Sequence, residues 1–324
     1  MAGTLRTAAW LAFALTLTGA GLTSRSALAQ NRTIRLVVPF PTGGTTDTLA
    51  RLLAQQASQM NGHAVLTENR VGASTLIATE HVYRSAPDGS TLLLVANSFV
   101  INPILRAPAP YDPFAFEPIC LLVNSPQVFV VNENSPYRTL NSFAMAARAK
   151  PGEYNYAAVG PGSTQHIAGE TFKRAAAIDL TYVPYTGGAP AVNALLGGHV
   201  TAVLTNYSEV MEQIKAGKLR PLAVTAAKRI APLPQVPTML ELGYAGVEAT
   251  AWFGMVAPPK TSKQTAGQLI TLFKAALEAP ELGAKLIAQG LYPVGACGAD
   301  FESHLKQQSE SYARIIRDTN IKLE

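Results

Sequence analysis

Residues 35–54 read RLVVPFPTGGTTDTLARLLA, and this stretch decides how the rest of the chain is read. A β-branched run beginning at Ile34 stops at a loop of prolines, glycines and threonines. Leu49, Leu52, Leu53, Ala57 and Met60 then recur at helical spacing, which predicts an amphipathic helix with these side chains on its buried face. A strand, a small polar loop and a helix in succession make one unit of an α/β fold.

The unit repeats outward along the chain. AVLTEN predicts a strand, VGAST a loop and the segment to Tyr83 a helix; APDG at 86–89 is a turn and TLLLVA a buried strand. After INP at 101–103 the rhythm is lost in APAPYDPFAFEP, and ICLLV and VFVV then read as two apolar strands that cross between domains. A second series follows: a helix over 140–149, strand YNYAA, loop VGPGST, helix QHIAGETFKRAAA, strand LTYVPY, loop TGGAP and helix AVNALL closed by Gly197 and Gly198. Strand VTAVL, loop TNYSE, a helix ended by Gly217 and strand LRPLAVTA complete it. WFGMVAPP reads as a second crossing, after which come helices over 262–279, 281–289 and 299–320 and a short YPVG strand. Those helices need a sheet to cover, which returns them to the first domain. The expected division is residues 30–128 with 255–324 as a discontinuous first domain, and 129–254 as the second.

The first 29 residues read as a secretory signal: Arg6 in a positive leading segment, an apolar run from Ala8 to Leu22, and the cleavage pattern Ala27-Leu28-Ala29. The apolar run is shorter than the roughly 20 residues a membrane-spanning helix needs. Cleavage near Ala29 sends the chain to the periplasm and lowers the formal charge from +5 to +3 by removing Arg6 and Arg25. The remaining basic residues are dispersed, which argues against a nucleic-acid partner. Cys120, within ICLLV, reads as a buried thiol and Cys297 as nearer the surface; an oxidising compartment is the sole argument for a bridge between them. With no CxxC, HExxH or close His pair, neither a metal nor another cofactor is expected.

The loops carry the chemistry. Each helix start leaves backbone N–H groups without intrahelical partners at the positive end of the helix dipole, and glycine lets a ligand approach them. TGGTTD, GPGST, TGGAP and TNYSE together describe an anion cradle. A phosphate loop is disfavoured, because Gly43-Gly44 is followed by Thr-Thr where GK[ST] is needed, and the G-x-G-x-x-G fingerprint is missing. Serine catalysis is the other rival: Ser163 lies three residues before His166, but the context is not G-x-S-x-G and no carboxylate is placed to orient the histidine. Asp47, near a helix start, reads first as a cap and second as a ligand contact.

The segments RLVVPFPTGGTTDTLARLLA, ENRVGAST, APDGSTLLL, YNYAAVGPGSTQHIAGETFK, VPYTGGAPAVNALLGGHV, IKAGKLRPLAV and LPQVPTMLELG, in this order, resemble the periplasmic solute-binding proteins of tripartite tricarboxylate transporters, the Bug family. The resemblance implies a type II periplasmic-binding-protein fold, two α/β domains that close over a small carboxylate and hand it to membrane permease subunits. It implies no enzymatic activity and a monomer. In the family, the loop here spanning Pro41 to Asp47 holds a carboxylate partly through ordered waters, helped by the loop here reading TGGAP. Two departures bear on the ligand: Thr42 stands where a second proline is frequent, and neutral Asn206 where an aspartate that binds an amino group is common. The expected ligand is therefore a non-amino mono- or dicarboxylate, aliphatic or aromatic. The expected contacts are Thr42, Gly43, Gly44, Thr45, Thr46, Asp47, Asn97 and Ser98 from the first domain, and Ser163, Thr164, Tyr185, Thr186, Gly187, Ala189 and Asn206 from the second. An exported hydrolase centred on Ser163 and a periplasmic sensor are the alternatives.

Overall fold

A computed structural model describes residues 33–62, 64–106, 108–319 and 321. The expected export signal lies outside the described residues. Among these, no helix is long and apolar enough to cross a membrane.

In chain order the elements are β1 (Ile34–Val38), α1 (Thr45–Asn61), β2 (Val65–Asn69), α2 (Leu76–Tyr83), β3 (Thr91–Ala96), α3 (Ser98–Leu105) and β4 (Glu117–Asn132). They continue with α4 (Leu140–Ala149), β5 (Asn155–Val159), α5 (Thr164–Ala176), β6 (Thr181–Tyr185), α6 (Gly188–Leu196), β7 (Ala202–Asn206), α7 (Tyr207–Lys215) and β8 (Leu219–Val224). Last come β9 (Thr250–Ala257), α8 (Lys263–Glu278), α9 (Pro280–Ala288), β10 (Tyr292–Cys297) and α10 (Ala299–Thr319).

One strand organises both halves. The N-terminal part of β4 pairs antiparallel with β9 as far as Pro126↔Thr250. From Gln127↔Asn206 onward its partners are β7 and β8. The order β2-β1-β3-β9-β4 thus passes directly into β4-β7-β5-β6, with β10 and β8 also paired to β4. The β1–β2, β1–β3, β5–β6 and β5–β7 pairs are parallel. Helices cover both faces of each half, because strand side chains alternate with period two. Leu36 and Val38 meet α1, α8 and α9, whereas Val37 faces α2, α3 and α10. Phe129 and Val131 meet α4 and α5, whereas Val128 and Val130 face α6 and α7.

The fold also corrects particular expectations. ICLLV and VFVV are parts of one strand, β4, because the intervening Asn124, Ser125, Pro126 and Gln127 are paired to neighbours rather than turned out as a loop. Met60 is 49% exposed, so the buried face of α1 runs through Leu49, Leu53 and Ala57 instead. TNYSE is not a loop: β7 ends at Asn206 and α7 begins at Tyr207. Within the segment where the rhythm is lost, α3 forms around Pro103. Proline has no N–H to give the carbonyl four residues back, and the Tyr111 hydroxyl donates to that Phe99 carbonyl at 2.9 Å instead. Finally, Cys120 and Cys297 form a disulfide, facing each other in the β4–β10 register.

Candidate functional site

The junction between the two half-sheets is walled by helix starts. The first loop turns at Gly43, whose φ of 84° is the left-handed conformation glycine tolerates. Asp47 anchors that turn: its carboxylate accepts from the Gly43 N–H at 3.0 Å, from Asn69 at 3.0 Å, and from two nitrogens of Arg51 at 2.9 and 3.0 Å. Burial works to raise its pKa, but Arg51, the Gly43 amide and Asn69 together outweigh that and hold the carboxyl below its ordinary value. All these partners belong to the first half, so Asp47 shapes the loop and does not line the cavity in front of it.

That cavity has a volume of about 40 Å³. At roughly 10–15 Å³ per water, it has room for about three waters or a ligand's headgroup. Phe40, Pro41, Gly44, Thr45, Thr46, Asn97, Ser98 and Phe253 line it from one half, and Ser163, Thr164, Gln165, Gly187, Gly188, Ala189, Asn206 and Glu209 from the other. A second cavity of about 240 Å³ adjoins it, sharing Phe40, Ser98, Val159 and Ser163 and adding Tyr185, Thr186, Pro161, Pro184 and the segment Val71–Thr75. The walls of this outer chamber are largely apolar. Of the expected contacts, Thr42 and Gly43 line neither cavity, and Thr42 is exposed.

Contacts cross the cleft at the first cavity. Asn206 donates to the Thr45 hydroxyl at 3.1 Å and accepts from Gln165 at 3.2 Å, while the Thr45 and Ser208 hydroxyls lie 2.7 Å apart. Asn97 also lines the wall, but its amide is tied down, donating to Tyr312 at 2.8 Å and accepting from the Trp252 N–H at 3.0 Å. Ser163 caps α5: its hydroxyl accepts the His166 N–H at 3.1 Å and donates to the Val159 carbonyl at 2.8 Å. The His166 ring is turned away to stack on Tyr182, with centroids 4.3 Å apart. A nucleophile–base pair between Ser163 and that imidazole is therefore not assembled.

Glu209, inside TNYSE but not among the expected contacts, is the charged one of the lining residues that sequence reasoning missed, with Phe40, Pro41, Gln165, Gly188 and Phe253. The Oε1 of Glu209 accepts the Thr45 N–H at 3.3 Å across the cleft, and its Oε2 accepts the Thr205 hydroxyl. Burial pushes this carboxyl above its ordinary value, even though Thr205, the Thr45 donors and the Asn206 amide favour the ionised form. The two glycines of TGGAP make room: a Cβ on Gly188 would lie 1.7 Å from Glu209 Oε2, and one on Gly187 3.0 Å from Pro41. The available signal is an acidic residue in the first turn of α7, directly after the strand end that carries Thr205.

Among the described residues, no group of three or more His, Cys, Asp and Glu side chains is placed to hold a metal ion. What the junction offers is neutral donors, the carboxyl of Glu209 and the starts of α1, α3, α5, α6 and α7, which converge on a small chamber. This arrangement, set between two helix-covered half-sheets joined through a crossing strand, is that of a type II periplasmic solute-binding protein.

Residues 49–321 match the family described as the tripartite tricarboxylate transporter family receptor, and the chain belongs to that family. It is 34% identical over 295 residues to protein BugT of Bordetella pertussis, covering 90% of each chain. It is similar to an R. palustris protein solved with adipate, at 33% identity and a TM-score of 0.86, covering 90% of this chain and 98% of that one. MatC from Rhodopseudomonas palustris, solved with bound malate, is 27% identical with a TM-score of 0.82, over 88% and 99% of the two chains.

Proposed function

We propose that this protein is exported, cleaved near Ala29, and captures a non-amino mono- or dicarboxylate, aliphatic or aromatic, in the periplasm without transforming it. The observation that carries this reading is the pair of adjoining chambers: a small one walled by helix starts and hydroxyls, and a larger apolar one. A carboxylate takes the first, where the opening amides of α6, those of α1 beyond Thr45, and the hydroxyls of Thr46 and Thr164 supply donors, while Thr45 and Ser163 line the chamber with hydroxyls already paired. The hydrocarbon or ring occupies the second, against Phe40, Pro161, Pro184 and Tyr185. That relatives of this fold and family were solved with adipate and malate supports a carboxylate as the class.

The two halves act as lobes close to the expected division, with Gln127 and Val128 going with the second and strand β9 with the first by their pairing, hinged where β4 changes partners between Pro126 and Gln127. The closed form is then handed to the membrane permease subunits of a tripartite tricarboxylate transporter. A thermal-shift screen of adipate, malate, benzoate and glutamate tests the ligand class. A true ligand at 100 times its Kd adds about 2.7 kcal/mol to stability and raises the melting temperature accordingly. Stabilisation by glutamate alone, with none from the other three acids, would overturn the reading.

A further inference from the structure

The inference drawn here rests on the carboxylate reading and concerns what that carboxylate meets. Among the described residues lining the first cavity, Glu209 is the one ionisable side chain. Among the described residues, no Lys, Arg or His lines this cavity to offset it. From α1, Arg51 is engaged with Asp47; from α5, His166 stacks on Tyr182 and Lys173 pairs with Glu170; from α7 itself, Lys215 pairs with Glu212. The segments of β7, α6 and β9 contain no titratable side chain. The adjoining chamber adds Tyr185 as its titratable group. Glu209 therefore holds the start of α1 through neutral donors alone, at the place a ligand carboxylate would be received.

Two carboxylates brought together in a dehydrated chamber without a cation do not both stay ionised; one proton is retained between them. We propose that Glu209 makes capture proton-linked, the ligand carboxylate being held beside Glu209 as a hydrogen-bonded acid–carboxylate pair with one proton taken up from solvent per ligand bound. The ligand arrives as its anion and the proton comes from water or buffer, so charge balances without another reactant. The elevated pKa of Glu209 in the empty cleft makes its protonation less costly, and any fraction already protonated before binding lowers the uptake by that fraction. A ligand with an ammonium group would instead pair with Glu209 directly and need no proton.

Calorimetric titration of the full mature chain with adipate, malate and benzoate, in buffers of differing ionisation enthalpy, reads the proton directly. Binding is expected to take up about one proton at neutral pH, with affinity falling up to tenfold per pH unit as pH rises. Glu209→Gln should bring uptake near zero and flatten the pH profile of whatever binding it retains. The wild-type measurement stands alone if the variant does not fold. Binding of these acids without proton uptake overturns the inference and leaves the carboxylate reading intact. Tighter binding of 2-aminoadipate than adipate, without uptake and lost in Glu209→Gln, makes Glu209 an ammonium acceptor and overturns it too. Failure of every acid to bind wild type and variant alike removes the carboxylate reading itself, and the inference with it.

Discussion

Asp47 and Glu209 stand on opposite sides of the same helix start and do opposite things. Asp47 ties the loop to its own half through Gly43, Asn69 and Arg51, so its removal acts on stability. Asp47→Asn removes the charge from the hydrogen bonds that tie the Gly43 amide and Asn69 to this side chain, and is expected to cost about 1 kcal/mol, measured as a lower urea midpoint. The Arg51 part is small because Arg51 is half in solvent. Because the folded pKa of Asp47 lies below its unfolded value, this stabilisation is complete above the ordinary aspartate range and is lost as pH falls through the lowered folded value. The gap between wild type and Asp47→Asn should therefore close in acid. Asp47 is expected to cap α1; the structure instead has it serve the Gly43 amide ahead of the helix, with Gly44 at the cap position and no side-chain cap there. Glu209 was not legible, because its importance depends on reaching Thr45 from a residue 164 positions away, and no local pattern reports that distance.

At the scale of elements, the β4–β10 pair is held twice, by its ladder and by the Cys120–Cys297 bridge. The bridge closes a span of 177 residues, and restricting so long a loop in the unfolded chain is worth about 2–4 kcal/mol. Replacing both cysteines with serine should lower the unfolding free energy by that amount, read as a lower denaturation midpoint. It should leave ligand affinity unchanged, since neither cysteine lines the two cavities. The repeating strand and helix units were legible because their apolar spacing is local. The bridge was not, since cysteine spacing says nothing of strand register. Nor was α3, because Pro103 signals a break and the Tyr111 hydroxyl that replaces its missing donor comes from outside the helix. β4 was split on paper by Asn124 to Gln127, polar residues that read as a loop until their ladder partners are known.

At the scale of the molecule, the contacts of Thr45 with Glu209, Ser208 and Asn206 all span the cleft, so any ligand that adds to them favours the closed arrangement. Small-angle scattering should show the radius of gyration falling when a confirmed ligand is added; an unchanged profile would count against closure. The overall α/β class and its family resemblance were legible from the order of the motifs, whereas the chamber sizes depend on how the halves meet and were not. The shared strand β4 also has a consequence in time. The strands of the second half-sheet all lie between residues 127 and 224, whereas the first half-sheet lacks β9 and β10 until residues 250–297 arrive and α10 still later. As the chain emerges from its N-terminus, β1 to β3 have α1 to α3 but must wait for β9 to pair the β3 edge and for α8 to α10, while the second half can already assemble. The part of the molecule that appears first is thus the last to be finished.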